Sequence, residues 1–449
     1  MMKFKSAGWT GETPETINRR HNSTCVLQLT RRLNVVLLAI SAVVAGDITG
    51  ATAATNVVDA TTLRGKVMCG YQGWFRCPGD QAKEGWIHWS RDPSRIAPDT
   101  LTVEMWPDMS DYPADERFPA PGFSSADGAQ ACLFSNEQPG TVRRHFQWMR
   151  EYGIDGVWLQ HFLVDLPGGP IETRYASRCR VLQNVRAAAQ ETGRVWAVTF
   201  DIAALPADKI VDVLTREWKK LVQEGVTQDP RYLHERGLPV VEIWGFYHGN
   251  PHNRMTAKVA NQLIDFFKSA GSANRAWLVG GGDWQWRHNP DPEWQKFIRR
   301  LDAYSPWNVG NYYKDDNGAH AATGSWPQDK RECDKCGLLW LPVVYPGFSW
   351  DNLQKLPPGT SLIPRRDGKF LWEQFHALSE LQVDTVCVAM FDEVDEGTAI
   401  FKVTSSPPVP GHFVTYEGLP SDWYLRLVGE ATKLLHQKQE VPASIPIHF

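Results

Sequence analysis

Trp277-Leu278-Val279-Gly280-Gly281-Gly282-Asp283-Trp284 is the stretch on which the fold turns. A short apolar run that ends in glycines is what a dinucleotide-binding fold places before its first helix. That fold needs Gly-x-Gly-x-x-Gly opening directly into the helix, so that backbone N–H groups and the helix terminus receive a pyrophosphate. Here the glycines lead into Asp283 and Trp284, and no amphipathic period begins there. The run reads instead as a buried strand ending in polar and aromatic groups.

The same form recurs along the chain. Strand candidates are Val67–Tyr71, Leu101–Trp106, Gly156–Phe162, Val195–Asp201, Pro239–Trp244, Trp277–Gly281, Trp307–Tyr312, Leu338–Val344 and Thr385–Phe391. Helical periodicity is clearest at Thr141–Tyr152, Ser177–Thr192, Ala207–Glu224, Thr256–Ala270 and Pro292–Leu301. Alternation of strand and helix without a composition break predicts one α/β domain over residues 54–449. With the dinucleotide fingerprint missing, the expected architecture is a single (β/α)8 TIM-type barrel with loop insertions. A closed barrel has eight strands, so one of the nine candidates is a loop excursion. Functional groups are then expected at the C-terminal ends of the strands.

Composition narrows the function. The chain has 449 residues, 42% of them hydrophobic, 20 of them Trp, and a net charge of −4. A slightly acidic surface argues against a nucleic-acid partner. Trp at about one residue in 22 implies a large core or an aromatic-lined site, such as one that binds the flat faces of sugars.

Residues 1–53 read as a leader. Arg31-Arg32 precedes the apolar run Leu33–Ala45, and Ala51-Thr52-Ala53 offers a cleavage site, the pattern of a secretory signal. Export to the periplasm, the cell envelope or the medium is the expectation, and no run reaches the ~20 apolar residues of a membrane span. The mature chain would carry 41 basic against 48 acidic residues and seven cysteines. Of these, Cys333 and Cys336 form the one C-x-x-C, read as part of a loop disulfide, while Cys69 and Cys387 read as core residues.

The apolar run Thr385–Phe391 leads straight into Asp392-Glu393-Val394-Asp395-Glu396. Four carboxylates in five residues, with no cation among them, repel one another and raise some pKa values. On one helical turn, Glu393 and Glu396 would share a face with Cβ atoms ~5–6 Å apart, which suits a pair working on one glycosidic bond. Taken alone, the residues leave catalysis, a solvated acidic loop and a Ca²⁺ loop all open.

Phe391–Ile400 resembles the Asn-Glu-Trp-His-Glu-Gly-Thr-Gln-Ile segment of glycoside hydrolase family 99, which contains endo-α-mannosidases and is related to the α-1,3-glucanases of family 71. Tyr71-Gln72-Gly73-Trp74-Phe75 is similar to its Tyr-Tyr-Pro-Trp-Tyr. Asp229-Pro230-Arg231-Tyr232 with Gly237–Val241, and Val343–Phe348, resemble two further segments in chain order. The resemblance spans about residues 64–435. It implies a glycosidase, exported according to the leader, acting on an oligo- or polysaccharide, with Glu393 as base on the sugar 2-hydroxyl and Glu396 as acid. It implies no metal and no organic cofactor. Asp392, Val394 and Asp395 stand where the family has Asn, Trp and His, and Phe200-Asp201-Ile202-Ala203 replaces a His-Ile-Glu-Pro-Tyr. The sugar, the linkage and the oligomeric state stay open, as do a carbohydrate-binding barrel without turnover and a metal-dependent hydrolase.

Strand-end position adds the candidate substrate contacts: Tyr71, Trp74, Trp106, His161, Asp201, Glu242, Trp244, Trp284 and Asp392. Mass spectrometry of protein from its native host is expected to find an N-terminus close to Ala54. An intact leader on a cytosolic protein would overturn the export reading.

Overall fold

Hydrogen-bond register, followed strand by strand, closes a ring. In the computed structural model, which describes residues 57–252 and 254–448, the barrel strands are β1 Val67–Tyr71, β2 Gly156–Phe162, β3 Val195–Asp201 and β4 Leu238–Phe246. They continue with β5 Trp277–Asp283, β6 Ala303–Trp307, β7 in two pieces (Leu339–Trp340 and Val343–Val344) and β8 Val386–Val388. Each pairs in parallel with the next, and β8 returns to β1 with Val67 opposite Val386. The closure runs through β7. Its first piece pairs with β6 and its second with β8, and Pro342, lacking an N–H, stands at the change of partner. Leu341 N–H still donates to Tyr304 O, and Pro342 O accepts from Cys387 N–H, so the ladder continues through the break.

A main helix follows each strand, with one extra short turn of α-helix at Asp351–Gln354 after β7: α1 Pro139–Tyr152, α2 Tyr175–Thr192, α3 Ala207–Gln223, α4 Ala257–Lys268, α5 Pro292–Ile298, α6 Trp326–Cys336, α7 Lys369–Glu380 and α8 Trp423–His436. The (β/α)8 expectation therefore holds. The longest insertion, between β1 and α1, contains the antiparallel hairpin Phe118–Ser124 with Gln130–Leu133. None of the described helices is long and apolar enough to cross a membrane. The expected leader, residues 1–53, lies outside the described residues.

Two strand expectations need correction. Leu101–Trp106 is the loop excursion: it lies in the insertion, where Leu101 makes only an isolated bridge to Ser90. The sixth strand is Ala303–Trp307, so Trp307 ends it rather than beginning one. Ser305 and Pro306 interrupt the apolar run there, although Pro306 still sits opposite Gly282. The cysteine expectation also fails. Cys333 and Cys336 occupy the last turn of α6, both as free thiols, with Cys333 buried in the core. Cys69 and Cys387 are buried core thiols, as expected.

The glycine run earns its composition by close approach. A Cβ on Gly281 would lie 2.8 Å from the Trp244 ring and 3.4 Å from Glu242 Oε1. On Gly282 it would lie 2.4 Å from the backbone oxygen of Phe246, and on Gly280 2.5 Å from a Leu301 methyl. Thin strand β5 thus makes room for the side chains of β4. Gly282→Ala, blocked by backbone, is expected to cost ~1–3 kcal/mol, more than Gly280→Ala, which meets a movable side chain. Thermal denaturation of the two variants checks the order; equal stabilities would contradict it.

Candidate functional site

The chain after β8 folds back over the end of β1. Phe391 N–H donates to Gly70 O at 2.8 Å, and the fully buried Asp392 carboxylate then receives two backbone donors. Gln72 N–H reaches Oδ1 at 2.8 Å and Gly73 N–H reaches Oδ2 at 3.0 Å. Gly73 has φ +57, and a Cβ there would press on Val181, so the turn after β1 requires glycine. Both Asp392 oxygens serve the backbone. Asp392 therefore holds the two strand ends together rather than facing a ligand, a correction to its place among the substrate contacts.

That join brings Gln72 beneath Glu393. Gln72 Nε2 donates to Glu393 Oε1 at 2.5 Å, and Thr398 Oγ1 donates to Oε2 at 2.9 Å. Glu393 is 5% exposed, while Glu396, three residues on in the same turn, is half-buried. The turn is closed by Thr398 and Ala399 N–H groups, both donating to Glu393 O. Asp395, between the glutamates, is buried with Oδ2 3.6 Å from His88 Nδ1. His88 lies face-on against Trp74 at 3.8 Å, Trp74 against Phe162 at 5.0 Å, and the Arg178 guanidinium over Phe162 at 4.9 Å.

Burial dominates the electrostatics. It lifts the Glu396 carboxyl to about 7. Glu393 is pushed well above the usual carboxylate range by burial, then by Glu396 and Asp395, against the opposing bonds from Thr398 and Gln72. Asp395 rises for the same reasons: burial, then Glu396 beside it. Asp392 goes to about 6, because its two backbone bonds offset part of its burial. These carboxyls cannot all ionise together near neutrality. Among the described residues no group of three or more His, Cys, Asp and Glu is arranged to hold a metal ion.

The facing strands supply the rest of the mouth. Trp244, at the end of β4, meets Tyr247 and Trp307 edge-on at 5.5 and 5.3 Å. The Tyr247 hydroxyl is raised by burial and by the charges of Asp283, Asp201 and Glu396, groups from β5, β3 and the acidic turn. Asp201 is lifted to about 7 by burial, with Asp165 adding to it and the Ala203 N–H opposing. Glu242 sits one layer lower, buried, accepting from Thr199 Oγ1 at 2.7 Å and likewise lifted to about 7 by burial. Trp284 is half-buried in the loop directly after β5.

The structure thus gathers Trp74, Asp201, Trp244, Glu393 and Glu396 at the C-terminal mouth, with Trp284 on the loop beside it and Glu242 beneath. Three expected contacts lie elsewhere. Tyr71 is fully buried, its hydroxyl bound to His145 Nδ1 at 2.8 Å and to Asn136. Trp106 packs between Phe123 and Phe413 in the insertion and donates to Cys132 O. His161 faces the helix layer, with Nε2 3.9 Å from Glu217 of α3 and its ring edge-on to Phe200. Strand-end position put these three near the mouth, but alternation of side chains along a strand or local packing turned them away. Trp74 is at the mouth, yet His88 and Phe162 cover its two faces, which leaves its edge. Gln72, His88, Thr398 and Trp307 are contributors that pattern alone missed. Gln72 stands inside the Tyr71–Trp74 run, whereas His88 lies in the insertion, where no period marks it.

Raised carboxyl pKa values make the folded protein bind more protons than the unfolded chain. These carboxyls contribute stability that is fully present below about pH 4.5 and lost as pH rises through about 7, opposed below about pH 6.5 by His88, His145 and His161, whose pKa values burial lowers. The midpoint of thermal unfolding is expected to be lower at pH 8 than at pH 5, with the gap narrowed in Glu393→Gln and Asp395→Asn. A midpoint that climbs over that range would contradict the placement of these charges.

No family model matches the sequence, and no curated protein matches it significantly. Two solved structures of the GH99 endo-alpha-mannosidase from Bacteroides thetaiotaomicron superpose on the chain. They give TM-scores of 0.61 and 0.62 at 13% identity, and in each case 84% of this chain and 99% of the other are covered. At that identity the likeness is one of architecture: the same barrel, over nearly the whole length of the other protein.

Proposed function

We propose that the mouth of the barrel is the active site of a glycoside hydrolase acting on an oligo- or polysaccharide, with Glu393 and Glu396 as its acid–base pair. One observation carries the reading. Two carboxyls three residues apart on one turn at the barrel mouth stand in unlike settings, Glu393 buried and held by two donors, Glu396 half-buried with its carboxyl lifted to about 7 by burial. An environment that separates two carboxyls is how one site runs both acid and base chemistry. The motif's resemblance to family 99 and the shared barrel support it.

The chemistry then follows. Ionised Glu393 takes the proton of the sugar 2-hydroxyl, whose oxygen attacks the anomeric carbon as the bond to the leaving oxygen breaks. Glu396 gives its proton to that oxygen. In the second half Glu396 takes a proton from water, the water oxygen opens the 1,2-anhydro ring, and Glu393 returns its proton to the 2-oxygen. The two inversions at carbon sum to retention. Gln72 Nε2 and Thr398 Oγ1 favour the ionised form of Glu393, while burial, Glu396 and Asp395 oppose it. The pH–rate profile should be a bell with limbs displaced above the usual carboxylate range, and Asp395→Asn should move it to lower pH. The leader pattern in the sequence supports an activity outside the cytoplasm.

The direct test is a screen of α-mannan, α-1,3-glucan and their oligosaccharides, with product analysis. Glu393→Gln and Glu396→Gln are each expected to lose ~10²–10⁴ in rate while still binding sugar. Near-wild-type turnover by both variants would reject the assignment. Binding of several glycans with cleavage of none would favour a carbohydrate-binding barrel instead.

A further inference from the structure

The turn that carries Glu396 is gripped from outside the barrel. Glu104, in the insertion after β1, donates its backbone N–H to Val394 O at 2.8 Å, and Met105 N–H shares that oxygen at 3.2 Å. On the other flank, Ser349 N–H donates to Glu396 O at 3.0 Å. A Cβ on Gly397, which has φ +61, would lie 2.9 Å from that same Ser349 nitrogen, so the contact is close.

The Glu104 side chain ties the two jaws together. It is 3% exposed, and its two oxygens accept from Ser349 Oγ at 2.6 Å and from Asn352 N–H. Asn352 Nδ2 in turn donates to Val103 O at 2.8 Å. A carboxyl buried there with no cation among the described residues within salt-bridge distance is costly, and burial lifts it to about 7. An apolar side chain could fill the space but could not join the insertion to the loop that touches Glu396.

We propose that Glu104 is a positioning residue, whose buried carboxyl fixes the turn that carries Glu396 at the barrel mouth. This rests on the glycosidase reading above, because it assigns Glu104 a role only through Glu396. A proton donor displaced by ~1 Å can lose ~10²-fold in rate, so a clamp on its backbone is felt in turnover before it is felt in binding. Glu104→Gln can keep both bonds: the amide oxygen accepts from Asn352, and the amide nitrogen donates to a Ser349 hydroxyl that turns to accept. Glu104→Ala can keep neither.

The test uses the full chain, the same α-manno- and α-gluco-oligosaccharides, and amide hydrogen exchange as a readout independent of activity. Glu104→Ala should lose ~10²-fold in kcat with KM changed less than about threefold, and exchange should quicken at residues 394–399 but not in the barrel strands. Glu104→Gln should return to within about threefold of wild type. Wild-type kcat in Glu104→Ala beside an inactive Glu396→Gln would overturn the clamp and leave the function standing. A Gln variant as slow as the Ala variant, with the turn still protected, would also overturn it. Should Glu104→Ala fail to fold, Ser349→Ala, which removes one of the two bonds, should still slow kcat by about tenfold, and unchanged kcat there would reject the proposal. An active Glu396→Gln would instead reject the underlying reading.

Discussion

The mouth of this barrel depends on one carboxylate bridging its two chain-distant ends. Asp392 takes the N–H groups of Gln72 and Gly73, two buried donors that the end of β1 would otherwise leave unsatisfied. The partners are 320 residues apart for Gln72, so the contact exists only once the barrel has closed. From it follow the position of the Gln72 amide under Glu393 and the turn that sends Trp74 against His88. The site is thus a consequence of closure, and closure passes through β7, where Pro342 lets one strand serve two neighbours.

Around that bridge the protein concentrates acidic groups, and among the described residues no Lys or Arg forms an ion pair with them. Arg76 and Arg178 are close by, but they are spent elsewhere, on Ser177, Glu137 and the backbone, and on Asp165 and Gln72 O respectively. Each unit by which a carboxyl is raised corresponds to ~1.4 kcal/mol of preference for its protonated form. Such an arrangement weakens the fold above neutral pH, and the large aromatic core and closed sheet offset it. It makes sense where protons must be exchanged: carboxyls that share too few charges can hand a proton on near neutral pH.

Much of this was legible in the residues. The Gly280–Gly282 run excluded a dinucleotide fold and now reads as a thin strand that admits Trp244 and Glu242. Alternating apolar runs located seven of the eight barrel strands within a few residues. The acidic turn announced itself because no stability argument explains it beside a buried strand. What failed did so for identifiable reasons. Pro306 and Ser305 hid a strand that is buried all the same, and the polar surface of α6 hid a helix, which turned its C-x-x-C into an imagined loop. Tyr71, Trp106 and His161 were placed at the mouth by position along the chain. Which face of a strand a residue occupies, and which loop covers it, depends on packing that no local pattern encodes. His88 and Glu104 belong to the insertion, where contact with the acidic turn is set entirely by tertiary structure.

The central claim is that two glutamates use the substrate's own 2-hydroxyl to break a glycosidic bond in two inverting halves. Proton NMR of the first-formed reducing sugar, recorded before mutarotation, tests it most directly. The account predicts that the new reducing end keeps the anomeric configuration of the bond cleaved, and that the matching 2-deoxy oligosaccharide binds without being cleaved. An inverted product, or hydrolysis of the 2-deoxy compound at a comparable rate, would contradict it.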